Sequence, residues 1–269
     1  MDLLQTLATR LATGDAPDEV ALPIEARYRE EGRGVRFDEC GRDGRMRAAA
    51  LLRHAQDVAW LHSERLEFGR AWYEARGVGW VVRGIDLLID QPPHSNEVVT
   101  ATTSLVGFRH VMARRHNRLF TASGRVIADA AIDWVMTDTE GRPSRFPAAF
   151  ASFVERVGAT FLPIKIPAVA PDDSPAHTVE IPLRTSDVDP LGHVNHAAWL
   201  EVIEEALNSI APEQLAAARR RIRLEYLAVT EGSRAIVEIR QASESSDVRV
   251  DVRDEHNVPL LRGVFAALV

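Results

Sequence analysis

The sequence predicts an α+β protein in which two long helices are each wrapped by an antiparallel sheet. Three observations carry that reading: two apolar stripes at helical spacing, a run of strand-type segments after each stripe, and an in-register similarity between the two halves. The chain has 269 residues, enough for one large domain or two of ordinary size. With 46% hydrophobic and 26% charged residues it reads as a soluble globular protein. Its formal net charge of -7 argues against a general nucleic-acid binder, which needs a basic face. Cys40 is the single cysteine, so no intrachain disulfide forms and a reducing cytoplasm is the simplest compartment.

The elements follow in order. Met1 to Leu11 has apolar residues at helical spacing, with Asp2 where a secretory signal would be basic and Arg10 breaking the apolar run. Residues 1–26 are therefore expected to hold a short amphipathic helix and a linker. No stretch approaches the ~20 apolar residues of a membrane span. The first half, 27–140, opens with a short strand and an Asp- and Gly-rich turn. Leu51, Leu52, Ala55, Val58 and Ala59 then give Ala48 to His62 one buried helical face. Strands are expected at Trp80 to Ile89, Glu97 to Leu105, Val111 to Phe120 and Arg125 to Thr137. Pro143, Pro147, Pro163, Pro167, Pro171 and Pro175 make 141–176 read as an extended connector, with Asp172, Asp173 and Ser174 adding polarity. The second half, 177–269, repeats the plan: a helix at His196 to Ile210, then strands at Ile222 to Val229, Ala235 to Gln241, Val248 to Val252 and Leu260 to Leu268.

The halves align in register. Arg36 lies under Arg184, Glu39 under Asp187, Gly44 under Gly192, and Leu51-Leu52 under Trp199-Leu200. Identity is low, so the agreement in element order carries the repeat.

The chemistry concentrates between Thr185 and His196, which brings Asp187, Asp189, His193, Asn195 and His196 around Pro190 and Gly192. Pro190 restricts Asp189 to extended backbone, and Gly192 permits a tight approach to a ligand. Asn195 and the aspartates are good helix caps, so a plain capped helix is one reading. The other is catalytic. Amide N–H groups at a helix start can hold a carbonyl oxygen or an oxyanion, while Asp189 serves as general base for water or as direct nucleophile. His193 and Asn195 would orient water or the leaving group. Glu204 lies more than two turns past Asn195 and reads as a solvated helix residue.

The pattern Asp-x-Asp-x-x-Gly-His-Val-Asn before a helix resembles the signature of hotdog-fold thioesterases. Phe37-Asp38-Glu39-Cys40-Gly41, Leu51-Leu52, Gln56-Asp57-Val58-Ala59, Trp80-Val81-Val82, Trp134-Val135-Met136 and Leu224-Glu225-Tyr226 are similar to the acyl-ACP thioesterase family. The resemblance runs from about Arg27 to Val269 and implies a double hotdog with its sheets joined edge to edge. It implies hydrolysis of fatty acyl thioesters in lipid metabolism, with acyl carrier protein, or alternatively CoA, as the thiol carrier.

Carried over position by position, Asp189 and His193 match the family's catalytic aspartate and histidine, and Asn195 matches the asparagine after them. Gly192, Val194 and Trp80 are the expected substrate contacts. Plant members have an asparagine where this chain has Leu191. They also have a Glu-Cys pair on a later strand, where this chain has Val229-Thr230 with Glu231 out of register. A mechanism centred on Asp189 follows. The first half has Gly41 and Arg45 at the equivalent positions, so it is expected to be silent and to shape the acyl pocket.

Other features are weaker. Cys40 aligns with Val188 and reads as a small buried residue rather than a nucleophile. His193 and His196 complete no zinc spacing, so neither metal nor cofactor is expected. Arg109, Arg114, Arg115 and Arg118 with His110 and His116 form the densest basic stretch, and Arg219 to Arg221 with Arg223 form another. Both read either as solvated faces or as docking surfaces for an acidic carrier or the phosphates of CoA. On the docking reading, Arg114 and Arg115 bind substrate, and reversing their charge raises KM for acyl-ACP. Trp60, Trp72 and Trp80 read as core residues or as lining of an acyl tunnel. Two further functions compete. Asp187 to His193 resembles the Asp-x-Asn-Pro-Leu-His motif of hotdog enoyl hydratases, with one glycine too many, and the departures from the plant pattern also allow a non-catalytic acyl-binding module. No nucleic-acid or membrane partner is expected, and a homodimer stays open.

Overall fold

The computed structural model describes residues 22–157, 161–168, 177–230, 232–241 and 247–268. The helix expected at Met1 to Leu11 lies outside the described residues, as do Pro171 to Pro175 of the connector and Glu231. The chain forms two compact units. One comprises residues up to Val82 together with Asp90–Pro163; the other comprises Arg83–Ile89 and Ile164 onward.

The first unit contains β1 (Arg27–Gly34), α1 (Ala48–Arg65), α2 (Arg70–Glu74), the first part of β2 (Val78–Asp90), β3 (Val98–Arg109), β4 (Met112–Thr121), β5 (Val126–Asp138) and α3 (Ala148–Val157). Strands β1, β3, β4 and β5 pair in that order, each antiparallel to the next. Helix α1 packs on β1, β3 and β4. Leu51, Leu52, Ala55 and Val58, the stripe read from the sequence, are all buried. Helix α1 is expected to end at His62 but continues to Arg65, with His62 itself buried.

The second unit contains residues 83–89 of β2, then β6 (His177–Pro182), α4 (His196–Ile210), α5 (Pro212–Ala216), β7 (Arg219–Tyr226), β8 (Arg234–Gln241), β9 (Val248–Asp254) and β10 (Pro259–Ala267). Its antiparallel order is β7-β10-β9-β8-β6, with β2 beside β7. Trp199, Leu200, Val202, Ile203, Ala206 and Leu207 give α4 its buried face. Each unit is thus a helix wrapped by an antiparallel sheet, the hotdog plan expected twice.

One expectation needs correcting. The segment 141–176 is not extended throughout, because α3 occupies Ala148–Val157. Pro147 sits just before that helix, where a missing amide costs nothing, and the next proline is Pro163. Phe150, Phe153 and Val154 share one face and pack among Phe68, Trp72, Trp80, Phe108 and Phe146. Residues 161–168 do run without helix or strand, as expected of a connector. Among the described residues no helix is long and apolar enough to cross a membrane.

Candidate functional site

The turn before α4 is a closed frame of backbone hydrogen bonds. The Arg184 N–H donates to Asp187 Oδ2 at 2.7 Å, and its guanidinium donates to Oδ1 at 2.7 Å. Asp187, 2% exposed, is therefore occupied in shaping the turn rather than available to a ligand. The Asp187 carbonyl accepts the Asn195 N–H at 2.8 Å, and Val188 bridges Val194. Inside that bridge, the Asp189 N–H donates to the His193 carbonyl at 2.8 Å, and the Gly192 N–H donates to the Asp189 carbonyl at 2.9 Å. Gly192 has φ +80°, a left-handed conformation that favours glycine, so the turn closes there without Cβ strain.

This frame brings Asp189 and His193 together. Their backbones face each other across the turn, joined by the bond from the Asp189 N–H to the His193 carbonyl. Both side chains are half-buried. Asp189 Oδ1 accepts the Leu191 N–H at 2.8 Å, which fixes the carboxylate over the turn. Asn195 plays the capping part: its Oδ1 accepts the Ala197 N–H at 2.9 Å, so that oxygen belongs to the helix. Val194 is held by its bridge and Leu191 is exposed.

Tyr226 is a supporting residue whose role the sequence alone did not reveal. Its hydroxyl donates to the His196 carbonyl at 2.9 Å, and burial pushes that hydroxyl far above the usual tyrosine range. The first residue of α4 is thereby pinned beside the Asp189 turn. The neighbouring Glu225 accepts from the Ile166 amide at 2.8 Å and from Lys165 Nζ at 3.0 Å. Burial opposes its ionisation, but these partners hold its carboxyl below the ordinary range. At the positions of the plant Glu-Cys pair, Val229 is exposed and Thr230 Oγ1 donates to Asp254 Oδ2 at 2.9 Å.

The first unit builds the same frame without the chemistry. Cys40 bridges Met46, Gly41 N–H donates to the Arg45 carbonyl at 2.8 Å, and Gly44 N–H donates to the Gly41 carbonyl at 3.0 Å. Arg47 N–H donates to the Glu39 carbonyl at 3.0 Å, and Gly44 has φ +74°. Each bond has its counterpart in the second turn, in the register read from the sequence. Gly41 offers no carboxylate, and Arg45 sends its guanidinium to the Pro92 carbonyl at 3.0 Å.

The basic stretch needs correcting. Arg115 is 8% exposed and lies on the helix side of β4, so it is no part of a docking surface. Arg114 is on the opposite face, committed to Asp133 through two hydrogen bonds of 2.6 and 2.9 Å and to the Leu162 carbonyl at 3.0 Å. Its guanidinium also lies 4.4 Å from the centre of the Phe161 ring. Reversing its charge would disrupt that buried pair before testing any carrier. Arg118 and His116 both bond Asp129, at 2.9 and 2.6 Å, and Arg221 pairs with Asp86 at 2.6 Å. Arg109 and His110 instead border a cleft of about 470 Å³ with Phe108, Phe161 and Leu162. Trp80 stands in the aromatic cluster against Phe146, Phe150 and Tyr73, whereas Trp60 is 47% exposed and lines nothing internal. Cys40 is only partly buried, contrary to expectation; burial raises its thiol pKa, the wrong direction for a nucleophile.

Comparison with known proteins places these observations. Among solved structures, the chain is similar to a putative oleoyl thioesterase from Lactobacillus plantarum at 19% identity and a TM-score of 0.76, covering 90% of this chain and 97% of that one. It is similar to an acyl-ACP thioesterase from Bacteroides thetaiotaomicron at 19% identity and TM-score 0.73, covering 90% and 97%. The 12:0-ACP thioesterase of Umbellularia californica matches at 17% identity and TM-score 0.73, covering 90% and 96%. At these identities the likeness establishes the double hotdog fold. No curated protein matches the sequence. Residues 27–150 match the model of the acyl-ACP thioesterase N-terminal domain. Over those residues the chain is similar to the acyl-ACP thioesterase family.

Proposed function

We propose that the turn from Asp189 to Asn195 is the single active site and that it releases a free fatty acid from acyl carrier protein, with a CoA thioester as the alternative carrier. One observation carries this reading: two hotdog units share a turn frame bond for bond, yet only the second supplies a carboxylate and an imidazole on facing positions. Water is activated by Asp189, which takes its proton as the water oxygen attacks the thioester carbonyl carbon. Amide groups at the start of α4 and the donor end of Asn195 hold the oxyanion. The tetrahedral intermediate collapses by breaking the carbon–sulfur bond, and the proton that Asp189 took from water passes by way of His193 to the departing thiolate. Gly192 and Val194 contact the thioester, and Trp80 borders the acyl chain. The first hotdog, 27–140, is catalytically silent and houses that chain, while 177–269 is the catalytic half. The reaction belongs in cytoplasmic fatty acid biosynthesis, where carrier-bound chains must be released. Asp189 and His193 lie on one turn, so the site is complete in one copy and serves a monomer or a homodimer alike.

Replacing Asp189 by Asn keeps the shape and the Leu191 contact while removing the base. Thiol release from acyl-ACP should fall by at least about a hundredfold, with the circular dichroism spectrum and Tm unchanged. Near-wild-type turnover would remove Asp189 from the mechanism.

A further inference from the structure

The first unit buries a cation that no carboxylate pairs with and an amide without a hydrogen-bond partner among the described residues. Arg115 projects from β4 toward α1, where its guanidinium bonds His62 Nδ1 at 2.9 Å, Ser63 Oγ at 3.0 Å and Thr103 Oγ1 at 3.4 Å. All three partners are neutral. His62 is held uncharged, its pKa pushed down to about 4 by burial and by Arg115 itself, and its other ring nitrogen meets the Glu25 carbonyl at 2.9 Å. Tyr73 has its hydroxyl pKa raised by burial and supplies no negative charge either. Burial lowers the Arg115 pKa to about 10, which leaves it cationic at neutral pH. Among the described residues no carboxylate pairs with it. A buried charge without a counter-ion is costly, and proteins hold one where it has work to do.

Asn117 adds a second, independent sign. It lies two residues along β4 on the same face, about 7 Å from Arg115 along the strand, and directly opposite Thr103 in the β3–β4 ladder. It is 2% exposed, and among the described residues neither its Oδ1 nor its Nδ2 has a hydrogen-bond partner. Native interiors rarely leave both ends of an amide unpaired. Around this patch the inner face is apolar, with Leu105, Leu119, Ala130 and Ile132 buried beside it.

We propose that the interior of the first hotdog receives an acyl chain bearing an oxygen substituent, a hydroxyl or a terminal carboxylate, which Arg115 and Asn117 bind, so that the enzyme selects oxygenated acyl thioesters over plain ones. This rests on the reading that the first unit houses the acyl chain. A hydroxyl suits Asn117 at both ends, accepting from Nδ2 and donating to Oδ1, and a carboxylate supplies the counter-ion that Arg115 lacks. A plain alkyl chain does neither and leaves the patch desolvated, which is how a polar site rejects an apolar analogue.

The test compares thiol release from acyl-ACP of one chain length carrying no substituent, a hydroxyl at successive positions, or a terminal carboxylate. The expected result is a kcat/KM at least tenfold higher for an oxygenated member, and the winner identifies hydroxyl or carboxylate. Asn117→Leu should lower that preference tenfold or more by slowing the oxygenated substrate and speeding the plain one. Because it removes two orphaned polar atoms, it should not lower Tm. Arg115→Met should act in the same direction; should it fail to fold, Asn117→Leu decides alone. A wild-type enzyme that handles the plain chain as well as every oxygenated one, or a preference untouched in Asn117→Leu, overturns the proposal. Absence of thiol release from every substrate would instead count against the hydrolytic reading. Calorimetric binding of the corresponding free acids then decides, with tenfold tighter binding of an oxygenated acid supporting the pocket and equal binding overturning it.

Discussion

Asp189 and Gly41 hold the same place in the same hydrogen-bonded turn, and their difference was legible in the sequence once the halves were aligned. Residues whose meaning depends on which face of a strand they occupy were harder to read. Arg114 and Arg115 look alike in a basic run, yet alternation sends one to Asp133 and the other beneath α1. The pattern Ala113, Arg115, Asn117, Leu119 held the clue, because its flanking members are core residues. The buried His62 that accepts from Arg115 gives this cluster a measurable pH signature. Its folded pKa of about 4 lies below the ordinary histidine value, so the unfolded chain binds a proton first as pH falls. Its contribution is whole above about pH 6.5 and is lost toward pH 4, amounting to up to about 3 kcal/mol. In His62→Gln, which keeps an acceptor without the titration, urea-unfolding free energies at pH 7 and pH 4.5 should differ less than in the wild type by about 2 kcal/mol. Equal pH dependence in both proteins would show that His62 is not the group responsible.

At the scale of elements, the long helices and most strands follow from periodicity because tertiary packing and local pattern agree. Helix α4 runs from His196 to Ile210 as expected, and β8 differs from its expected span by one residue. Helix α3 escaped because proline density on both sides outweighed a ten-residue apolar stretch with Phe150, Phe153 and Val154 at helical spacing. The path of residues 161–168 was invisible for another reason: it depends on a missing side chain elsewhere. A Cβ added to Gly84 would lie 2.9 Å from Ile164 Cβ and 3.4 Å from the Ile164 carbonyl oxygen. The glycine in β2 is thus what lets the backbone at Ile164 lie against that strand. Gly84→Ala should lower stability by about 1–3 kcal/mol through overpacking, read as a fall in Tm. In the Ile164→Ala background the same change should cost clearly less, and an equal cost in both backgrounds would place the strain elsewhere.

For the whole molecule, the proline-rich connector marks where the sequence changes from one half to the next, but the second compact unit does not begin there. It draws in residues 83–89 of β2 from far upstream, which no local signal in the sequence announces. Those residues complete charges that β7 buries: Asp86 bonds Arg221 at 2.7 and 2.6 Å, and Arg83 pairs with the nearly buried Glu225 at 3.5 Å. Without them β7 would present an open edge, and Arg221 would lose its bonds to Asp86. A fragment comprising only residues 164–269 should therefore fail to unfold cooperatively, as followed by circular dichroism during heating. Joining residues 78–90 to its N-terminus through a flexible glycine-rich linker should recover a sigmoidal transition. The same linked segment carrying Asp86→Ala should recover a lower Tm, because it restores the strand but not the ion pair. A bare fragment that melts as sharply as the linked one would mean that the second hotdog holds its own without the borrowed strand, and that the halves divide at the connector after all.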